Sequence, residues 1–117
     1  MKKDNVIKTK SFLFAVRIVK LCKFLTENKK EFILSKQLLR SGTSIGANIR
    51  EAEHAESKAD FIHKLSISLK EANETEYWLD LLNKTEYLNS SEYISVQNDI
   101  KEILKLLTSI IKTSKQK

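Results

Sequence analysis

The sequence has no proline, two glycines and one cysteine in 117 residues, and each scarcity closes off a class of protein. Without proline, and with so little glycine, the chain lacks the punctuation that would divide it into many short strands. Its wealth of Lys, Glu, Leu and Ile therefore reads as helix throughout, an all-α fold. The lone Cys22 permits no intrachain disulfide, and no Cys/His grouping has zinc-finger spacing, so a cytoplasmic setting is expected. The most apolar stretch, residues 12–25, is interrupted by Arg17, Lys20 and Lys23, which makes it too short and too charged for a membrane span or a signal-peptide core. Residues 1–117 are long enough for one domain with its own core and too short for two.

Acidic residues are scarce only at the ends. Of the formal net charge of +6, residues 1–10 contribute four lysines against one aspartate and residues 112–117 contribute three lysines, while the body between holds 14 basic and 14 acidic residues. Lys2, Lys3, Lys8, Lys10, Lys112, Lys115 and Lys117 thus form two basic tails. They are either merely solvated or a contact for RNA or DNA through its phosphates, a mode that gives affinity without sequence readout.

Apolar spacing marks four helices. Phe14, Ile18, Leu21 and Leu25 lie on one side of the first, and Phe12, Val16 and Val19 form a second row, so this helix is expected to be buried on more than one side. After a polar break at 26–31, Ser35 is a candidate N-cap for the second helix, whose core row is Leu38, Gly42, Ile45, Ile49 and Ala52. Ser57 with Asp60 opens the third helix, about 58–83, and Asn89 with Glu92 opens the fourth, carried by Ile100, Ile103, Leu104, Leu107, Ile110 and Ile111. The third helix has one stripe of Phe61, Leu65, Leu69, Ala72 and Leu79. A second holds Ile67, Glu71, Glu74, Trp78, Leu81 and Leu82, and two stripes call for two partners. Short connections predict an antiparallel up-down-up-down four-helix bundle with both termini at one pole.

The two glycines are the oddity. Inside a helix each costs about 1 kcal/mol relative to alanine, so Gly42 and Gly46, four apart, need a return. Together with the small row Ser41, Ser44 and Asn48 they offer a flat groove for close approach of another helix; the alternative is a simple kink at Gly42.

The stretch 34–82, with "QLLRSGTSIGANI", "ADFIHKLSISLKEA" and "ETEYWL" in order, resembles the bacterial 23S rRNA intervening-sequence family. The resemblance implies a left-handed antiparallel four-helix bundle that assembles into a homo-oligomeric ring, typically a pentamer. Some members are encoded within insertions of the large-subunit ribosomal RNA gene, and relatives act beside reverse transcriptases. Many members read Asn-Ile-Ala-Glu-Gly where this chain has Asn48, Ile49, Arg50, Glu51 and Ala52, so the second helix is expected to run on to the turn at Ser57.

Enzymatic constellations are thin. Glu51 and His54, with Asp60 and His63, have the spacing of di-iron ligand pairs. The other helices, however, supply only Glu27, Glu92 and Glu102, and the histidines flank a turn, so no metal and no cofactor is expected. Glu71 and Glu74 form a carboxylate pair without a nucleophile or phosphate loop, and pairing with Arg40 or Arg50, within the chain or across subunits, is the expected outcome. Trp78 and Tyr77 can stack on an unpaired base, although Trp78 on its apolar stripe suits core or subunit contact better. Cys22 reads as an inert core residue. The sequence reading is a non-enzymatic homo-oligomer in which Arg40, Gly42, Ser44, Gly46, Asn48, Glu51, Ile67, Glu71, Glu74 and Trp78 form helix packing or subunit contacts, with RNA or DNA held on the terminal lysines. The alternative is an oligomeric scaffold or accessory factor for another protein, such as a reverse transcriptase.

Overall fold

A computed structural model describes residues 2–116, with side chains from residue 5 onward. Four helices make up the fold, with no strand among the described residues: α1 (Lys2–Asn28), α2 (Leu34–Ala52), α3 (Lys58–Lys84) and α4 (Ser90–Gln116). The molecule measures 47 × 21 × 19 Å, one long helix in length and two helices in width.

Each helix packs on its chain neighbours, and α1 also meets α4. Descending α1 from Cys22 through Ile18 and Ser11 to Lys8, the facing residues are Ser35, Gly42 and Gly46 of α2 and Glu53 at its C-terminal cap, so partner numbers rise as those of α1 fall. The same reversal relates α2 to α3, from Arg40 with Glu74 to Glu51 with Lys64. It recurs between α1 and α4, where Arg17 meets Asp99 and Lys10 meets Glu102. The space between is filled by Ile18, Leu25, Leu38, Ile45, Leu79, Leu82, Ile100 and Leu107, all fully buried.

Helix ends follow local chemistry where a side chain can cap. Ser57 is extended and its hydroxyl accepts from Asp60 N at 3.0 Å, while Asn89 Oδ1 accepts from Glu92 N at 2.8 Å. Two expectations fail. Ser35 does not cap α2, which starts at Leu34; the buried Glu31 carboxylate accepts instead from the amides of Ile33, Leu34 and Ser35 at 3.2, 3.0 and 2.7 Å. Ser35 Oγ donates back to Glu31 O at 2.7 Å. Nor does α2 run on to Ser57. It ends at Ala52, because Glu53, His54 and Ala55 return their amides to Arg50, Glu51 and Ala52, three residues back, and this tighter winding takes the chain out of the α-helix without a glycine.

Replacing Glu31 by alanine strips three amides at the start of α2 of their acceptor. We expect a loss of about 1–3 kcal/mol, read as a lower urea midpoint, with part of it recovered by Glu31→Gln; an unchanged midpoint for the alanine variant would remove Glu31 from this role.

Candidate nucleic-acid interface

The segments expected as basic tails are turns of α1 and α4. Ile7 is 2% exposed and Ile110 and Ile111 are buried, so apolar anchors carry helix through both ends. Lys8 pairs with Glu53 at 3.0 Å and Lys10 pairs with Glu102, which commits two of the expected phosphate contacts to internal ion pairs. Lys112 and Lys115 are exposed and have no ion pair among the described residues. The side chains of Lys2 and Lys3, and Lys117 as a whole, lie outside the described residues. Asn5, Ile7, Glu53, Ser57, Ile110 and Ser114 border one hollow, so the α2–α3 turn shares this pole with both ends and brings Glu51, Glu53, Glu56 and Asp60 to it.

The opposite pole is basic in a way the charge count hid. Residues 17–36 hold six cations and two carboxylates, and the fold gathers several of them around a cleft of about 970 Å³ between the end of α1 and the α3–α4 turn. Lys20, Phe24, Lys29, Lys84 and Tyr87 line it, residues to which the sequence reading gave no site role. The basic cluster at 17–36 was a signal for the α1 side; nothing local announced Lys84 and Tyr87 as its neighbours.

Between α2 and α3 the small polar row is occupied within the chain. Ser41 Oγ lies 2.9 Å from Thr75 Oγ1, Ser44 Oγ donates to Glu71 Oε2 at 2.6 Å, and Ser68 Oγ donates to Ile45 O at 2.9 Å. Asn48 turns its amide back onto Ser44 O at 2.9 Å. Arg40 bridges Glu71, at 3.0 Å, and Glu74, while Arg50 lies 5.1 Å over the Phe12 ring. The Trp78 indole N–H donates to Glu74 at 2.9 Å; that bond, with the Arg40 guanidinium, holds the Glu74 carboxyl below its ordinary value. Glu74 is therefore a fixed anion and a poor proton donor at neutral pH.

The glycines face α1. A Cβ on Gly42 would stand 2.9 Å from Ile18 Cγ2, and one on Gly46 would stand 3.4 Å from Ser11 O. Trp78 packs partly on the chain's own core and Ile67 is half-buried. The second apolar row of the first helix, expected to be buried, instead faces outward: Phe12 is 51% exposed, Val16 37% and Val19 41%, with Leu13 beside them at 60%. Among the described residues, α1 therefore carries an outward apolar row.

His54 and His63 are exposed, and Glu51 and Asp60 both face the Lys64 amine, at 3.7 and 3.8 Å. No metal-binding group of His, Cys, Asp and Glu occurs among the described residues. Cys22 is buried and donates to Ser35 O at 3.3 Å; burial, then the charge of Glu31, pushes its thiol up to about 11. Tyr93 donates to Asp80 at 2.5 Å and is pushed up to about 12 by that bond and by burial.

These shifts fix how stability varies with pH. Cys22 and Tyr93 ionise in the unfolded chain before they do in the folded one, so stability falls as pH rises from about 9 toward 12. Glu74, depressed in the folded state, supports stability above its ordinary value and loses that support as pH falls through the carboxylate range. Urea midpoints measured across pH should trace a plateau with both shoulders; a flat alkaline limb would contradict the placement of Cys22 and Tyr93.

The fold and its surfaces define a small all-α protein of four helices, none of them long and apolar enough to cross a membrane. It belongs to the 23S rRNA-intervening sequence protein family, matching that family over residues 3–109. A crystal structure of a protein with unknown function from the S23 ribosomal protein family of Bacteroides thetaiotaomicron is similar to it, with 69% sequence identity and a TM-score of 0.93. The match covers 94% of this chain and 98% of that one. No curated protein matches the chain significantly.

Proposed function

We propose that this chain is a non-enzymatic, cytoplasmic bundle of antiparallel up-down-up-down topology, which assembles with copies of itself and binds nucleic acid. The observation that carries the reading is the outward apolar row of Phe12, Leu13, Val16 and Val19 on a chain whose core is already filled. Contiguous apolar surface of that kind marks a docking face. The ring of five copies implied by the family resemblance supplies its occupant. The reversed helix contacts support the topology, and the membership in a family named for ribosomal RNA intervening sequences supports the nucleic-acid partner. In a ring, the exposed Lys112 and Lys115 repeat once per copy and add phosphate contacts.

The test is RNA binding by the full chain against a Lys112→Gln, Lys115→Gln variant. Deleting residues 1–8 is unsuitable, because it would remove Ile7 from the core. The reading expects salt-sensitive RNA binding that weakens in the variant. Absence of RNA binding at low salt would end the nucleic-acid part, and with the assembly intact would favour the second reading, a scaffold for a protein partner such as a reverse transcriptase. The observation behind that second reading is the further exposed apolar pair Phe32 and Ile33 in the α1–α2 turn, 59% and 77% exposed.

A further inference from the structure

We infer that the cleft between the end of α1 and the α3–α4 turn binds an unpaired nucleotide, its base against Phe24 and Tyr87 and its phosphates on Lys20, Lys29 and Lys84. The inference rests on the nucleic-acid reading above and gives it a site and a form of substrate.

The volume of about 970 Å³ falls in the range of roughly 300–1,000 Å³ usual for small-ligand sites. Its two rings come from different elements. Phe24, on α1, is 43% exposed, and Tyr87, beyond α3, is half-buried with its ring partly on the core. Flat apolar faces of this kind accept any base by stacking, whereas a simple anion needs none. Lys20, Lys29 and Lys84 have no ion pair among the described residues. Lys29 Nζ sits 5.9 Å from the Phe24 ring centroid, at the margin of cation–π range, so its amine can turn to a phosphate at little cost.

Arg17 is a different case. Asp99 and Ser95 hold it at 2.7 and 2.8 Å, with Glu92 at 3.5 Å, so it serves as a fixed wall whose charge is already matched. Glu86 and Glu92 are the carboxylates of the lining; Glu92 is taken by Arg17, which leaves Glu86 as the one opposing charge against three amines. An acidic peptide would use the amines and leave the rings idle. A base-paired strand cannot present its base faces to them.

The cleft admits two sources of the same chemistry, a free mononucleotide and an unpaired residue of an RNA strand. Binding to the full chain would be measured with uridine monophosphate, a short oligouridylate, duplex RNA, inorganic phosphate and oligo-aspartate. Each is repeated on Lys20→Gln/Lys84→Gln, on Phe24→Leu and on Lys112→Gln/Lys115→Gln, with helicity and urea midpoints as folding controls. The expected result is tenfold or greater loss of oligouridylate binding in each cleft variant, consistent with stacking worth roughly 5- to 150-fold per base. In the cleft lysine pair the slope of log affinity against log salt should also fall by about 1.4, at about 0.7 per phosphate contact. Uridine monophosphate bound with the same dependence identifies the free source; oligouridylate alone identifies the strand.

Oligouridylate bound equally by wild type and cleft variants, while Lys112→Gln/Lys115→Gln weakens it, overturns the cleft and leaves the nucleic-acid reading standing. No binding of any RNA or nucleotide removes both. Oligo-aspartate bound as well as RNA, with no effect of Phe24→Leu, overturns the inference in favour of an acidic-protein site.

Discussion

Gly42→Ala should destabilise the protein by up to about 2 kcal/mol, while Gly46→Ala, one turn away, should stabilise it by up to about 1 kcal/mol. Alanine in place of glycine favours any helix interior by about 1 kcal/mol, so the two variants start with the same gain. At Gly42 the new methyl would stand 2.9 Å from one γ carbon of Ile18, closer than such atoms approach, with the other γ carbon at 3.0 Å and the β carbon at 3.3 Å also tight. Ile18 has no exposed surface and is wedged in the core, so it cannot swing away, and relief requires α1 and α2 to move apart. Overpacking of this kind costs typically about 1–3 kcal/mol, which exceeds the helical gain. At Gly46 the nearest atoms are Ser11 O and Oγ at 3.4 Å, an ordinary contact, so the gain survives. Urea midpoints of the two variants give the answer. If both rise, Gly42 is only a weak helix residue and the close approach has no energetic role.

Leu13→Glu with Val16→Glu should dissociate the proposed assembly, weakening association roughly 30- to 1,000-fold. Burying an exposed side chain of this size contributes about 1.5–3 kcal/mol at full burial, and less from the half-exposed positions these two occupy. Every 1.4 kcal/mol is about tenfold in affinity, and two carboxylates caught in the contact add a desolvation cost. The single chain should hold its fold, since both positions face outward and glutamate is a good helix former. The variant should therefore keep its helicity and elute later than the parent. Co-elution with the parent would place any assembly on another face.

What could be read from the sequence was what short-range spacing decides. Four helices followed from apolar period and from missing breakers, and the caps at Ser57 and Asn89 from residues three apart. The start of α2 was obscured because its cap, Glu31, sits in a polar run that reads as a loop, and only the fold shows it turned inward. The α1–α2 and α3–α4 turns were placed by their polar breaks and caps, but their conformation was not legible, because Lys30 and Glu86 take the left-handed conformation that glycine usually marks, at φ 54° and 70°. The outward row of α1 looked like core, since a periodic pattern records that a face is apolar and says nothing of what covers it. The basic pole escaped because a net charge of zero over the body averages two regions that the fold sets at opposite ends. Glu51, Glu53, Glu56 and Asp60 offset the termini, and Lys20, Lys29 and Lys84 meet across a cleft.

The proposed assembly requires that another copy of this chain cover the outer face of α1. Light scattering on the full chain at micromolar concentration tests it directly. A mass several times 13.5 kDa is the predicted result, and a single species of 13.5 kDa would contradict it.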